Sequence, residues 1–256
     1  MTNPPNLVPF WLDTQPVIFP PSNLAMVEPD GLLAVGGDLT PEWLLMAYSK
    51  GIFPWFNPGE PILWWTPNPR SVLFIEELKI RRSLRKNLNK YLKTGKFLVT
   101  FDKDFEAVMR SCAAIPREDQ DGTWISEEMV GAYKSLHKAG HAHSVEVWYE
   151  NKLVGGLYGV AIGKMFFGES MFSTLTDSSK IALIALGLQL HQWGFSVIDS
   201  QVETQHLNSL GAQQINREDF EALIKKQTSQ PFLAHKWQLD NQWQEWVKPH
   251  LENQNP

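Results

Sequence analysis

The sequence has a single cysteine, Cys112, among 256 residues. That excludes an intrachain disulfide and a cysteine-built zinc centre. Long apolar runs are missing too: the longest, IALIALGL at 181–188, falls far short of a bilayer span. The opening MTNPPNLVPFWLD has no basic leader ahead of an apolar core, so it does not read as a secretory signal. A cytoplasmic protein is expected. An overall basic balance is also absent, since the formal charge is −5, and the total alone does not suggest nucleic acid. The distribution does. Between Lys79 and Lys96 stand eight basic residues and no acidic one.

What is present suits a folded globular chain, with 43% hydrophobic and 20% charged residues. The length fits one large domain, or one ordinary domain with a smaller companion. Residues 1–30 are proline-rich and weakly patterned. Thr40-Pro41-Glu42 then opens a short helix with a capping hydroxyl and proline at its first position, and Gly51 closes it. The stretch IFPWFNPGEPILWWTPNPR holds five prolines and reads as loop with short extended pieces. A domain boundary is placed there, giving a small α/β domain over 1–68 and a second domain over 69–256.

In the second part SVLFI and FLVTFD read as strands. Between them lies an amphipathic helix over 80–92, with Ile80, Leu84, Leu88 and Tyr91 on one stripe. FEAVMRSCA and SEEMVGAYKSLHKAG read as helices, the latter capped by Ser126. Three strands follow (HAHSVEVWYE, NKLVGGLYGVAIG and KMFFGESMFS), with Asn151 and Gly163 at the turns. SSKIALIALGLQLHQWG is apolar nearly all round and reads as a buried helix. The strand FSVIDSQV and a helix opening near Asn216 complete the pattern, and the tail from about residue 231 receives no assignment. The fold class expected is α+β, with a central mixed sheet flanked by helices.

Strand alternation puts Asp199 and Gln201 on one face of VIDSQV. A carboxylate beside an amide is a proton-accepting pair, or else both residues satisfy loop backbone groups. The same alternation gives Phe167, Glu169, Met171 and Ser173 a common face. An ionised carboxylate among apolar side chains costs several kcal/mol unless it is hydrogen-bonded or paired. Glu169 is therefore either a satisfied structural residue or part of a small-molecule pocket. The basic helix is a solvated face or a phosphate-contacting one. The eleven tryptophans, Trp55 and Trp124 among them, are core residues or platforms on which a base stacks. His141 and His143 lack a third ligand at metal-site spacing. Ser170 and Ser173 lack a His–Asp arrangement that would mark a nucleophile.

Six stretches in this order carry a resemblance: GLLAVGGDLTPEWLLMAYSKGIFPWF, PILWWTPNPR, GTWI, LHKAGHAHSVEVW, LVGGLYGVAIGKMFFGESMF and IDSQV. Over about Phe19 to Ile215 the chain resembles the leucyl/phenylalanyl-tRNA–protein transferase family. The resemblance implies a small N-terminal domain followed by a GNAT-like (acyltransferase) domain. It also implies transfer of Leu or Phe, and less well Met, from aminoacyl-tRNA to the α-amine of proteins beginning with Arg or Lys. The product is thereby marked for degradation through a clp-type adaptor and protease. It implies Asp199, Gln201 and Glu169 as catalytic residues, and Leu157, Phe166, Met171, Ile198 and Leu186 as the aminoacyl pocket. Tyr48, Trp55 and Trp124 would hold the terminal adenosine, and Arg82, Arg85, Lys86 and Lys90 the acceptor arm. No cofactor, metal or membrane is implied, and a monomer is expected. Leu157 and Leu186 depart from the Met and Phe of the best-known member, which implies an enlarged pocket.

Two other functions fit the same residues less fully. An acyl-CoA N-acetyltransferase would need a glycine-rich strand-to-helix loop for the pyrophosphate, and STLTDSS has no glycine. A non-catalytic tRNA-binding module would use the basic helix and the tryptophans but leave Asp199, Gln201 and Glu169 without a task.

Overall fold

A computed structural model describes residues 8–115, 123–231 and 235–252. Gly122 of the GTWI stretch lies outside the described residues. The first part contains β1 (Phe10–Leu12), β2 (Leu32–Gly36), α1 (Pro41–Ser49), β3 (Phe53–Pro54) and β4 (Leu63–Trp65). Its four strands form one sheet in the order β1-β2-β4-β3. Thr40 caps α1 as expected, its side chain accepting from the Trp43 N–H.

The second part runs through β5 (Arg70–Phe74), α2 (Arg82–Lys93), β6 (Phe97–Phe101), α3 (Phe105–Ala114), α4 (Glu127–Lys138), β7 (Ala142–Tyr149), β8 (Lys152–Ile162) and β9 (Met165–Ser173). It continues with α5 (Ser178–Gln192), β10 (Val197–Gln201), α6 (Gln205–Asn208), β11 (Gln213–Ile215), α7 (Arg217–Thr228) and α8 (Trp243–Glu252). Seven strands make a mixed sheet in the order β11-β5-β10-β9-β8-β7-β6. Glu150 and Asn151 both take positive φ in the tight β7–β8 turn, the twist that suits a two-residue hairpin loop.

Both faces of this sheet are covered. Val72, Tyr158, Val160, Phe167 and Val197 point to one side, where α1, α3, α4, α7 and the small sheet supply the apolar partners. Their neighbours Leu73, Leu157, Ala161, Phe166 and Ile198 point to the other, against α2, α5 and α8. α5 is itself enclosed between the sheet and α8, which explains why it is apolar all round. Among the described residues no helix is long and apolar enough to cross a membrane.

The tail, unassigned from sequence, contributes to this core. Trp237 is fully buried, and its ring stacks on His143 with centroids 3.7 Å apart. Its backbone N–H donates to Asp102 Oδ2 at 2.7 Å. Asp102 also accepts from the Ser144 N–H and lies 2.8 Å from His143 Nδ1.

Candidate active site

β10 forms with β9 the only parallel pair of the large sheet, among the described residues, and the pairing is brief. It pairs with β9 at Val197↔Met165, Ile198↔Phe166 and Asp199↔Phe167, and then pairing stops. Each strand is irregular where the two part. In β9, Gly168 pairs with Gly159 and Ser170 with Tyr158, so Glu169 is an extra residue facing no partner. In β10, Asp199 pairs with Val72 and Gln201 with Ser71, so Ser200 is the extra residue. A β-bulge bends a strand and re-aims the side chains beyond it. Two bulges on strands that have stopped pairing open a cleft in the middle of the sheet.

The bulges overturn both alternation readings. Met171 does not share a face with Phe167. Beyond the bulge it joins Phe166 on the α5 side, while Phe172 takes the Phe167 side. Likewise Asp199 and Gln201 are not simple i, i+2 partners, because Gln201 sits at φ +57°, in the left-handed region. Close packing holds the β9 bulge in place. A Cβ on Gly159 would lie 2.2 Å from the Phe167 carbonyl oxygen, so only glycine fits opposite it.

The cleft encloses about 540 Å³ and is lined by Leu157, Phe166, Glu169, Met171, Leu183 and Ile198, with Asp199, Ser200, Gln201 and His206 on its polar side. A larger hollow of about 1360 Å³, between Phe19–Asn23 and α7, includes none of Glu169, Asp199 or Gln201. Four of the five pocket residues read from sequence therefore meet in one wall. Leu186 does not: it is fully buried behind the wall, and Leu183, one turn earlier on α5, takes its place.

Glu169 is satisfied by two tyrosines. Tyr48 from α1 donates to Oε1 at 2.6 Å, and Tyr133 from α4 donates to Oε2 at 3.0 Å. The two phenol oxygens also lie within hydrogen-bond reach of each other, but each phenol has a single proton, so while both donate to Glu169 neither donates to the other. Burial pushes the Glu169 carboxyl up to about 7; the two phenol hydrogen bonds oppose this, as does Arg70, while Asp199 adds to it. Both phenols are held well above their ordinary range, first by burial and then by the Glu169 charge.

Asp199 is fully buried and gripped by Arg70, whose Nε donates to Oδ1 at 2.9 Å and whose Nη2 donates to Oδ2 at 2.7 Å. Oδ1 accepts a second bond from the Gln201 N–H at 3.0 Å. A carboxylate has about four acceptor positions, so Oδ2 keeps one in hand. Gln201 Nε2 and His206 Nε2 are buried and without a hydrogen-bond partner. Such orphans are uncommon in a folded protein and are candidates for contact with a ligand.

The three adenosine positions read from sequence lie at different depths. Tyr48 is fully buried with its hydroxyl on Glu169, and Trp124 is 6% exposed. Trp55 is 41% exposed beside Trp65. None of the three lines the cleft. The four basic residues lie on α2, where Arg82, Lys86 and Lys90 are exposed in one i, i+4 row and Arg85 is half-buried.

Sequence reading passed over Arg70, Tyr133, Leu183 and His206. Tyr133 falls on the apolar stripe of α4 with Met129, Val130 and Leu136, where a phenol looks like any core aromatic. Arg70 ends the five-proline, loop-like stretch, and nothing local foretells its burial.

Comparison with known proteins agrees along most of the chain. The family profile described as leucyl/phenylalanyl-tRNA protein transferase matches residues 72–225, and the one described as its N-terminal domain matches 37–68. A protein of Hydrogenovibrio crunogenus named leucyl/phenylalanyl-tRNA--protein transferase is 67% identical over 92% of this chain and 91% of its own. One of Nitrosospira multiformis with the same name is 53% identical over 91% and 97%. Among solved structures, a GCN5-related N-acetyltransferase from Kribbella flavida has a TM-score of 0.31 and 12% identity, over 68% of this chain and 60% of that one.

Proposed function

The chain belongs to the leucyl/phenylalanyl-tRNA–protein transferase family, and from that membership we propose that its cleft moves Leu or Phe from aminoacyl-tRNA to the α-amine of a protein beginning with Arg or Lys. The observation that carries this reading is an apolar wall facing one unpartnered amide and two carboxylates. That combination suits an apolar side chain joined to a reactive ester.

An aminoacyl ester is already activated. The enzyme has to align two substrates and manage protons. Leu157, Phe166, Met171, Leu183 and Ile198 accept the amino-acid side chain. The acceptor amine gives up a proton to Oδ2 of Asp199 and attacks the ester carbonyl carbon. A C–N bond forms, the bond to the ribose oxygen breaks, and that oxygen departs with a proton. Gln201 holds the amine through its Oε1 and meets the carbonyl oxygen with its unpaired Nε2, where negative charge develops. Glu169, fixed by Tyr48 and Tyr133, positions the ester and attracts the basic first residue of the acceptor. Trp55 stacks on the terminal base, and Arg82, Arg85, Lys86 and Lys90 neutralise acceptor-arm phosphates. The new N-terminal residue marks the product for degradation.

The acyl-CoA alternative lacks support in the loop before α5. There Ser178 donates to the Val154 and Leu175 carbonyls, and Asp177 accepts from Asn87.

The test is transfer of labelled Leu and Phe from charged tRNA to a peptide beginning with Arg and to its acetylated form. Transfer to the free amine alone is expected. Binding of charged tRNA without transfer to either peptide would refute the reading. Replacing Asp199 with Ala should slow turnover by about 10²–10⁴-fold, the usual worth of a general acid–base group, with tRNA affinity kept. Unchanged turnover at saturation with lost tRNA affinity would overturn that assignment.

A further inference from the structure

Arg70 is wholly buried at the first position of β5, and three elements hold it. Its Nε and Nη2 form a fork onto both oxygens of Asp199, on β10. The guanidinium carbon lies over the Phe53 ring, on β3 of the small sheet, 4.8 Å from its centroid. It also lies over the Phe220 ring, on α7, 4.6 Å from its centroid. Its third nitrogen, Nη1, has no partner. The slot is walled by two aromatic rings and a carboxylate. A planar guanidinium fits it; an ammonium would not fill it.

Stability alone does not account for this arrangement. A buried ion pair is often no better than an apolar pair of the same volume, because both charges have left water. What the fork adds is orientation. Two parallel hydrogen bonds fix the plane of a carboxylate, which a point charge cannot do. With the Gln201 N–H on Oδ1 as well, three of the four acceptor positions of Asp199 are filled. The remaining one lies on Oδ2, in a residue that lines the cleft.

We propose that Arg70 is a positioning residue for aminoacyl transfer: its fork sets the plane of Asp199 and leaves a single Oδ2 position for the acceptor amine. This rests on the reading that Asp199 handles that amine. The small sheet and α7 both pack on Arg70, so the seating of both elements is passed to the carboxylate. The other charged groups bearing on the pair are Glu169 across the cleft and Arg217 on α7.

Four variants test it under single-turnover conditions with saturating charged tRNA: Arg70→Lys, Arg70→Ala, Asp199→Asn and the double variant Arg70→Lys/Asp199→Asn. A misplaced catalytic group costs about 10²-fold. Arg70→Lys should therefore lower kcat by about that factor, with the peptide KM changed less than about twofold. Methylguanidinium, but not sodium at equal ionic strength, should restore part of the rate of Arg70→Ala. The double variant should be no slower than Asp199→Asn, because residues acting as a unit do not lose rate twice. Arg70→Lys turning over within about threefold of wild type would overturn the proposal. So would a double variant whose loss is the product of the two single losses. Should Arg70→Ala not fold, the lysine variant and the cycle decide without it, since lysine keeps the charge. If Asp199→Asn itself transfers at the wild-type rate, the role given to Asp199 falls. If it is inactive while Arg70→Lys is unimpaired, only the role of Arg70 falls.

Discussion

Glu169 shows how much one side chain depends on its surroundings. Its carboxyl sits at about 7 because burial disfavours the charge more than the phenols of Tyr48 and Tyr133 favour it. A folded-state value above the unfolded one means that the native protein keeps a proton the unfolded chain has lost. The stability this contributes is present at low pH and lost as pH rises from about 4.5 to about 7, on the order of 3–4 kcal/mol in all. Urea melts at pH 5 and pH 8 should show that slope in wild type, and Glu169→Gln should lack it. Tyr133→Phe removes a hydrogen bond that favours the charged form, so its loss of stability should extend to higher pH than in wild type.

At the scale of elements, the strands and helices were legible because each carries its period and its punctuation. Thr40 and Ser126 stand where they cap, and α5 reads as buried because no face of it is polar. The site was legible as a set of residues and illegible as geometry. Alternation is sound only while a strand stays regular, and the two functional strands each take an extra residue at the decisive place. Nothing in FFGESMFS or VIDSQV marks that residue, because the bulges are fixed by contacts from elsewhere: Ser71 on Ser200, Arg70 on Asp199, and Tyr48 and Tyr133 on Glu169. The left-handed Gln201 is the strained point of this design, and such a residue costs about 1–2 kcal/mol when it is not glycine. Gln201→Gly should therefore raise unfolding stability by about 0.5–1 kcal/mol, after the entropy cost of glycine, while transfer falls. A thermal melt read beside the transfer assay checks the opposite signs.

For the whole molecule, charge and cleft divide the work. The exposed row Arg82, Lys86 and Lys90 belongs to α2, which packs on the same face of the sheet as α5. In the proposed reading this row holds nucleic acid without touching the reacting atoms. Changing all three residues to Glu should weaken tRNA binding strongly and reduce the slope of log K against log salt by about two to three, at 0.7–0.9 per phosphate contact. The transfer rate at saturating tRNA should stay within about threefold of wild type. A filter-binding titration at several salt concentrations separates the two effects.

The seat of Trp237 bears on how the protein is made. Asp102 and His143 lie in and beside strands that leave the ribosome early, yet the indole that covers them follows some ninety residues later. During synthesis the β6–β7 end of the sheet must wait with one face open and a buried carboxylate short of a donor. The nascent chain therefore has its most exposed moment between β7 and the arrival of that tryptophan, which is the interval in which a ribosome-associated chaperone would find the most to bind.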